Sequence, residues 1–201
     1  MLIWVPHSLA ATSNYLLSAD IEGSAPSGWQ TGAGRNYAYT PAIDGTSSLG
    51  ITGTFVGCAS PAFTVTNDVW VFFLAFPGAG SNSPILALQN GTPATVATVQ
   101  FRADRINIEH GTASAFSMGA ALTSTSAVWV HYVAGSGSNG RLDLYINKNS
   151  TSLTRPSVSA SITTGTSTTG IGNIVVYAQG AGNWVYDKFR VSASEIGSNP
   201  T

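Results

Sequence analysis

The chain has 201 residues, a length that suits one β-sandwich domain and forces no second one. Only 8% of residues are charged, against about 25% in an average soluble domain, yet 10% are aromatic, so a Ser-, Thr-, Gly- and Asn-rich surface over a real core is implied rather than disorder. The net charge of −1 leaves phosphate-driven nucleic-acid binding without electrostatic footing. The lone Cys58 excludes an internal disulfide framework and a thiolate zinc cluster, and no run of about 18 apolar residues could cross a membrane as a helix.

In chain order, the opening MLIWVPHSLAA is apolar but lacks a basic start, and its apolar run breaks at Pro6 and His7, so it is not read as a secretory signal. Leu2, Ile3, Trp4 and Val5 would be costly to expose. Residues 1–12 are expected to form an arm that completes an edge strand of its own domain or docks on a neighbouring subunit, and residues 13–201 to form a single sandwich domain. Next come Trp29, Tyr37 and Tyr39 in Gly- and Ser-rich sequence; with Trp184 they are candidates for a sugar-stacking platform, the alternative being that they plug the ends of the sandwich.

Short apolar or alternating runs, split by Gly, Ser, Asn and Pro, then recur to the end of the chain, with no sustained helical period. Strands are expected at Ser47–Thr52, Phe63–Phe76, Ile85–Leu88, Ala94–Arg102, Arg105–His110, Ala127–Ala134, Arg141–Asn147, Ile171–Ala178 and Trp184–Val191. The continuously apolar end of Phe63–Phe76 implies burial on both faces. GSGSNG, between AVWVHYVA and RLDLYIN, suits a hairpin loop. Ser157–Gly170 reads as a polar loop or solvent-facing edge strand, and Ser192–Ile196 as one short helical turn. The expected fold is all-β: two antiparallel sheets packed as a sandwich.

AVWVHYVAGSGSNGRLDLYINKN, with Trp129, His131, Val133, Leu142, Leu144, Tyr145 and Asn147, resembles the central hairpin of laminin-G-like domains in the concanavalin-A-like superfamily. The closing WVYDKFRVSASEIG, with Asp187, Phe189, Val191, Ser194, Glu195 and Ile196, is similar to that family's last strand and turn. The resemblance covers roughly Asp44 to Ile196 and implies a concanavalin-A-like jelly roll. Upstream, SADIEGSAPSGW is similar to the opening of jelly-roll carbohydrate-binding modules, in which a Glu and a late Asp hold a structural calcium. The matching residues are Glu22 and Asp187; two carboxylates with backbone carbonyls and water can satisfy calcium, and the alternative is that both bond local backbone. No other cofactor is expected.

Two enzyme groups use such a fold. A laminarinase-type hydrolase needs alternate carboxylates on one strand. Arg105-Ile106-Asn107-Ile108-Glu109 alternates correctly but has Arg105 and Asn107 where acids are needed, leaving Glu109 alone. Val99-Gln100-Phe101-Arg102 lacks the histidine of the matching strand in alginate-lyase relatives. His110 and His131 are expected to be packed or edge histidines, and the chain is expected not to be an enzyme.

The neutral surface, the lack of a leader and the single cysteine lead to the expectation of a virion structural protein, such as a capsid decoration or cement protein of a phage. It would be a homo-oligomer seated on a major capsid or tail protein. The alternative is a secreted or displayed carbohydrate-binding module with a glycan as partner, in an extracellular setting.

Overall fold

The structure is a computed structural model and describes residues 15–53, 56–76, 83–91, 94–101, 105–111, 113–118, 122–164, 167–178 and 183–200. Leu2, Ile3, Trp4 and Val5 of the expected arm lie outside the described residues. The strands are β1 (Leu17–Ala19), β2 (Arg35–Tyr39), β3 (Ser48–Thr52), β4 (Val56–Ala59), β5 (Asp68–Phe76), β6 (Ser83–Gln89), β7 (Thr95–Phe101), β8 (Arg105–His110), β9 (Ala113–Met118), β10 (Ser126–Val133), β11 (Arg141–Asn147), β12 (Ala160–Ile162), β13 (Asn173–Ala178) and β14 (Asn183–Ser192).

They form two antiparallel sheets. One is eight-stranded, in the order β12-β11-β10-β5-β14-β3-β2, with β1 also pairing β14; the other is six-stranded, in the order β4-β13-β6-β7-β8-β9. This is the all-β sandwich expected. Between the sheets, alternate residues interdigitate: Val69, Val71 and Phe73 of β5, Val128, Val130 and Tyr132 of β10, and Leu142 and Leu144 of β11 meet Leu86, Val99, Ile108 and Val176 of the other sheet. Each such side chain contributes about 1.5–3 kcal/mol by leaving water.

β5 is buried on both faces, as its apolar run implies. Trp70, Phe72 and Leu74 point away from the main core and join Ala127, Trp129 and Ile196 in a second cluster. The C-terminal segment covers this cluster: Ile196 packs into it, and Trp129 Nε1 donates to the Gly197 carbonyl at 3.2 Å. Arg155 stacks on Trp70 at 4.6 Å, donates to the Ile196 carbonyl and pairs with Glu195. The outer side of the eight-stranded sheet is therefore roofed by residues 153–155 and 195–199.

β14 carries a bulge between Asp187 and Arg190, with Lys188 at φ +54°. The extra residue reverses the alternation, so Tyr186, Phe189 and Val191 all face the core. Before the bulge β14 pairs β3; after it, β14 pairs β1.

The β10–β11 hairpin closes through GSGSNG as expected. A Cβ at Gly135 would stand 2.5 Å from the Gly140 nitrogen, so the loop ends meet too closely for a side chain. Two expectations are corrected. Ser192–Ile196 is an extended strand end and a bend, because its apolar residue is drawn down onto Trp129 and Trp70. The Phe63 strand begins only at Asp68; the residues before it are held irregularly by a bridge between Thr66 and Ile171. Ser157–Gly170 contains the short edge strand β12.

Candidate functional site

The six-stranded sheet turns its other face outward. β7 and β8 alternate strictly, so Ala97, Val99, Phe101, Ile106 and Ile108 enter the core, and Thr98, Gln100, Arg105, Asn107 and Glu109 take the outward face. Register then builds rows across the strands. Gln100, Asn107 and Phe116 are one row; Thr98, Glu109 and Ser114 are the next. Phe116 is 48% exposed.

Glu109 is the centre of this face. Its Oε2 accepts from the Gln100 amide and its Oε1 from the Asn107 amide, each at 2.6 Å. Bonds to a charged acceptor are about twice as strong as neutral ones, so the three side chains fix one another. Beside them the Arg105 guanidinium lies 5.1 Å from the centre of the Phe116 ring. Further along the outward face, Tyr177 lies over Gly57, where a Cβ would come within 2.8 Å of its ring. Tyr177 and Phe116 are thus on strands four steps apart, roughly 20 Å across the sheet. Polar acceptors and donors between aromatic rings are the residue set that a sugar needs, because its C–H faces are apolar and its rim is hydroxyl-rich.

The aromatic residues singled out from the sequence lie elsewhere. Trp29, Tyr37 and Trp184 are 5%, 8% and 1% exposed and belong to the main core. Trp29 packs on Phe189 at 4.8 Å, and the Tyr37 hydroxyl donates to the Gln30 carbonyl and meets Cys58 Sγ. Burial pushes the Tyr37 hydroxyl far above its ordinary pKa. Rings so enclosed have no face to offer a sugar, so these three plug the sandwich. Tyr39 is half-buried, holds the Asn183 amide at 3.2 Å, and lines a recess of 190 Å³ with Ile43 and Phe76. The Gly- and Ser-rich sequence around Trp29 gave no sign that it folds back. Phe116 was missed because ASAFSM is short and weakly apolar; its signal is one aromatic placed on the polar side of an alternating run.

Glu22 and Asp187 each accept hydrogen bonds from the protein itself. Exposed Glu22 accepts the Thr46 N–H at 2.8 Å and its hydroxyl, and these bonds hold its pKa low. Asp187 is 2% exposed; its Oδ1 accepts the Ile21 and Lys188 N–H groups and its Oδ2 the Ser48 hydroxyl. Burial raises its pKa, against the pull of those three bonds. Asp44 is near enough to raise the pKa of both, and the Lys188 ammonium sits 2.9 Å from it. Each carboxylate thus bonds backbone N–H groups and a hydroxyl close to it. Among the described residues no group of three His, Cys, Asp or Glu side chains could hold a metal.

His131 lies on the other sheet, stacked on Trp70 at 4.1 Å, with Nε2 3.0 Å from Asp68. Its neighbour Asp143 is fully buried; burial raises its pKa, but bonds from His131 and Ser161 and the Arg141 charge outweigh that and hold it low. This cluster ties β5, β10 and β11 together.

No family model and no curated protein match the chain. Solved structures do. The carbohydrate recognition domain of Emp46p matches with TM-score 0.56 and 13% identity over 92% of this chain and 99% of that one. The alginate lyase Aly36B matches with TM-score 0.55 and 12% identity over 89% and 98%. The botulinum neurotoxin serotype D binding domain matches with TM-score 0.60 and 12% identity over 91% of this chain and 49% of that one. The chain thus spans about half the length of the neurotoxin binding domains it matches, 49% in types G and D. At such identities the likeness shows the fold, a lectin-like sandwich shared by binding domains and lyases alike.

Proposed function

We propose that this chain is a non-catalytic glycan-binding domain whose ligand lies along the outward face of the six-stranded sheet. The observation that carries this is Glu109, fixed between Gln100 and Asn107 beside exposed Phe116. Glu109 accepts sugar hydroxyls and the ring of Phe116 stacks on a sugar face. The fold is shared with a carbohydrate recognition domain, which supports the reading.

A glycan array followed by titration calorimetry tests it. Phe116→Ala should weaken the selected glycan about tenfold, from the loss of a stacking contact of about 1–1.5 kcal/mol. Glu109→Ala, which removes a charged acceptor worth about 1.5–3 kcal/mol, should weaken it by at least that much. Binding indifferent to both substitutions would overturn the placement. One carboxylate in place of the required pair supports the absence of catalysis. Release of reducing ends or unsaturated uronates from glucan, alginate or glucuronan, abolished by Glu109→Gln, would refute it.

A second reading adds the setting. The low charge of 8% and neutral polar surface fit a virion decoration or cement protein, a homo-oligomer on a capsid or tail. Negative-stain imaging of the native source checks this, and a monomer that never accompanies particles would end it.

A further inference from the structure

The recess of 190 Å³ beside Tyr39 opens on the outer side of the eight-stranded sheet. Trp184 and Tyr186 enter the main core, so Val185 between them faces outward. Phe76, its partner on β5, follows Leu74 on the same face. Gly50, opposite Val185 on β3, brings no side chain; a Cβ there would stand 2.6 Å from the Tyr39 ring, so that ring rests on the strand itself. Val185 is thus the floor, and Tyr39, Ile43 and Phe76 are the walls.

Size and polarity say what kind of group fits. The recess is smaller than the about 300 Å³ at which small-molecule sites begin, yet several times the about 30 Å³ of one water, which leaves room for one large side chain. No charged residue lines it among the described residues. Phe76 at its rim is 38% exposed, although the seven residues before it on β5 are buried, so apolar surface remains to be covered.

The chain itself supplies such a group. Residues 1–14 include no Lys, Arg, Asp or Glu, and Leu2, Ile3, Trp4 and Val5 are four consecutive apolar side chains. The described chain also starts on the same outer side. Tyr15 packs against the cluster of Trp70, Trp129 and Ile196, as Ile43 of the recess does, and its ring lies 5.7 Å from the Arg190 guanidinium. Arg190 pairs Phe72, four residues before Phe76, so the recess begins about 13 Å along the sheet from Tyr15. The ten residues 5–14 between Trp4 and Tyr15 span up to about 33 Å. On so short a tether the apolar run meets its own recess at an effective concentration of about a millimolar, far above that of a second copy in dilute solution.

We infer that Leu2, Ile3, Trp4 and Val5 seat in this recess of their own domain, with the Trp4 indole entering between Tyr39, Ile43 and Phe76. The arm then neither completes an edge strand nor reaches a neighbouring subunit. The recess and the outward face of the six-stranded sheet lie on opposite sides of the sandwich, so the seated arm leaves Glu109 and Phe116 clear, whether or not that face binds a glycan.

Isotope-edited NMR on the full chain tests this. The Trp4 indole protons should show nuclear Overhauser contacts to the Ile43 and Val185 methyls, and none should appear between differently labelled copies in a mixed sample. Trp4→Ala, a change outside the fourteen strands, should abolish these contacts and shift both methyl signals, while the Val99 and Leu142 methyls of the main core stay in place. Absence of any contact from Trp4 to the two methyls overturns the assignment, as do contacts to an edge strand instead. Contacts seen only between differently labelled copies overturn it too, in favour of an arm exchanged between subunits.

Discussion

Two buried titratable residues set opposite pH dependences. His110 has a folded pKa below its ordinary 6.5, because burial disfavours its charged form. The unfolded chain then binds the proton more tightly, so this stability is present above about 6.5 and is lost as pH falls through the lower folded value. Urea denaturation on either side of that pH should show the loss, and His110→Gln should shrink it. Asp187 is the reverse case: its raised pKa means stability fully present below the ordinary 3.8 and partly lost as pH rises through the folded value. Asp187→Asn removes the ionisation but keeps an acceptor, and should lie within about 1 kcal/mol of the parent at neutral pH. Asp187→Ala strands the Ile21 and Lys188 N–H groups and the Ser48 hydroxyl, and should cost about 3 kcal/mol or more. Were Asn as damaging as Ala, and were the melting temperature sensitive to EDTA, the negative charge itself would matter, as it does in a calcium site. The sequence exposed Asp187 as special but not why, since its partners are 139 and 166 residues away.

Among the elements, the roof over the eight-stranded sheet carries the most testable consequence. Ile196 is 3% exposed and sits with Trp70, Phe72 and Trp129. Ile196→Ala should destabilise the protein by about 2–4 kcal/mol and shift tryptophan emission to the red as water reaches the rings. A change under 1 kcal/mol would show that the roof is not part of the cooperative core. Strands differed sharply in how well the sequence announced them. β5, with DVWVFFLAF, and the β10–β11 hairpin were plain, because their apolar residues outnumber every alternative. β2, with RNYAY, β9, with ASAFSM, and β1, with LSA, were not, because short polar strands owe their form to a neighbour rather than to their own residues. The β14 bulge was equally hidden: plain alternation from Trp184 would have put Lys188 and Arg190 inward, and only Lys188 at positive φ prevents it.

For the whole molecule, the topology joins distant segments. β5 pairs β10 and β14, and β4 pairs β13, across most of the chain. Hydrogen exchange should therefore be slowest in β5 and β10 and fastest in the edge strands β2, β9 and β12; slow exchange in β9 would mean that its edge is covered by something else. Half of the candidate face was visible beforehand, as the alternation in Arg105–Glu109, because one strand's pattern is local. Its other half, Gln100 and Phe116, comes from β7 and β9, and only the register brings them to Glu109. The misplacement of Trp29, Tyr37 and Trp184 has the same root, since no local pattern distinguishes a ring that covers a core from one that faces water.

Leu16 and β1 lie along β14, and Asn199 is bonded to the Leu153 carbonyl over the outer side of the eight-stranded sheet. Both segments lie with the eight-stranded sheet, so a copy held by that side would leave the other sheet facing outward. Copies anchored side by side would then present Glu109 and Phe116 as a lattice of identical contacts, and a glycan-coated surface engaging several at once would be held about a hundredfold or more tighter than by one domain, through effective concentration alone.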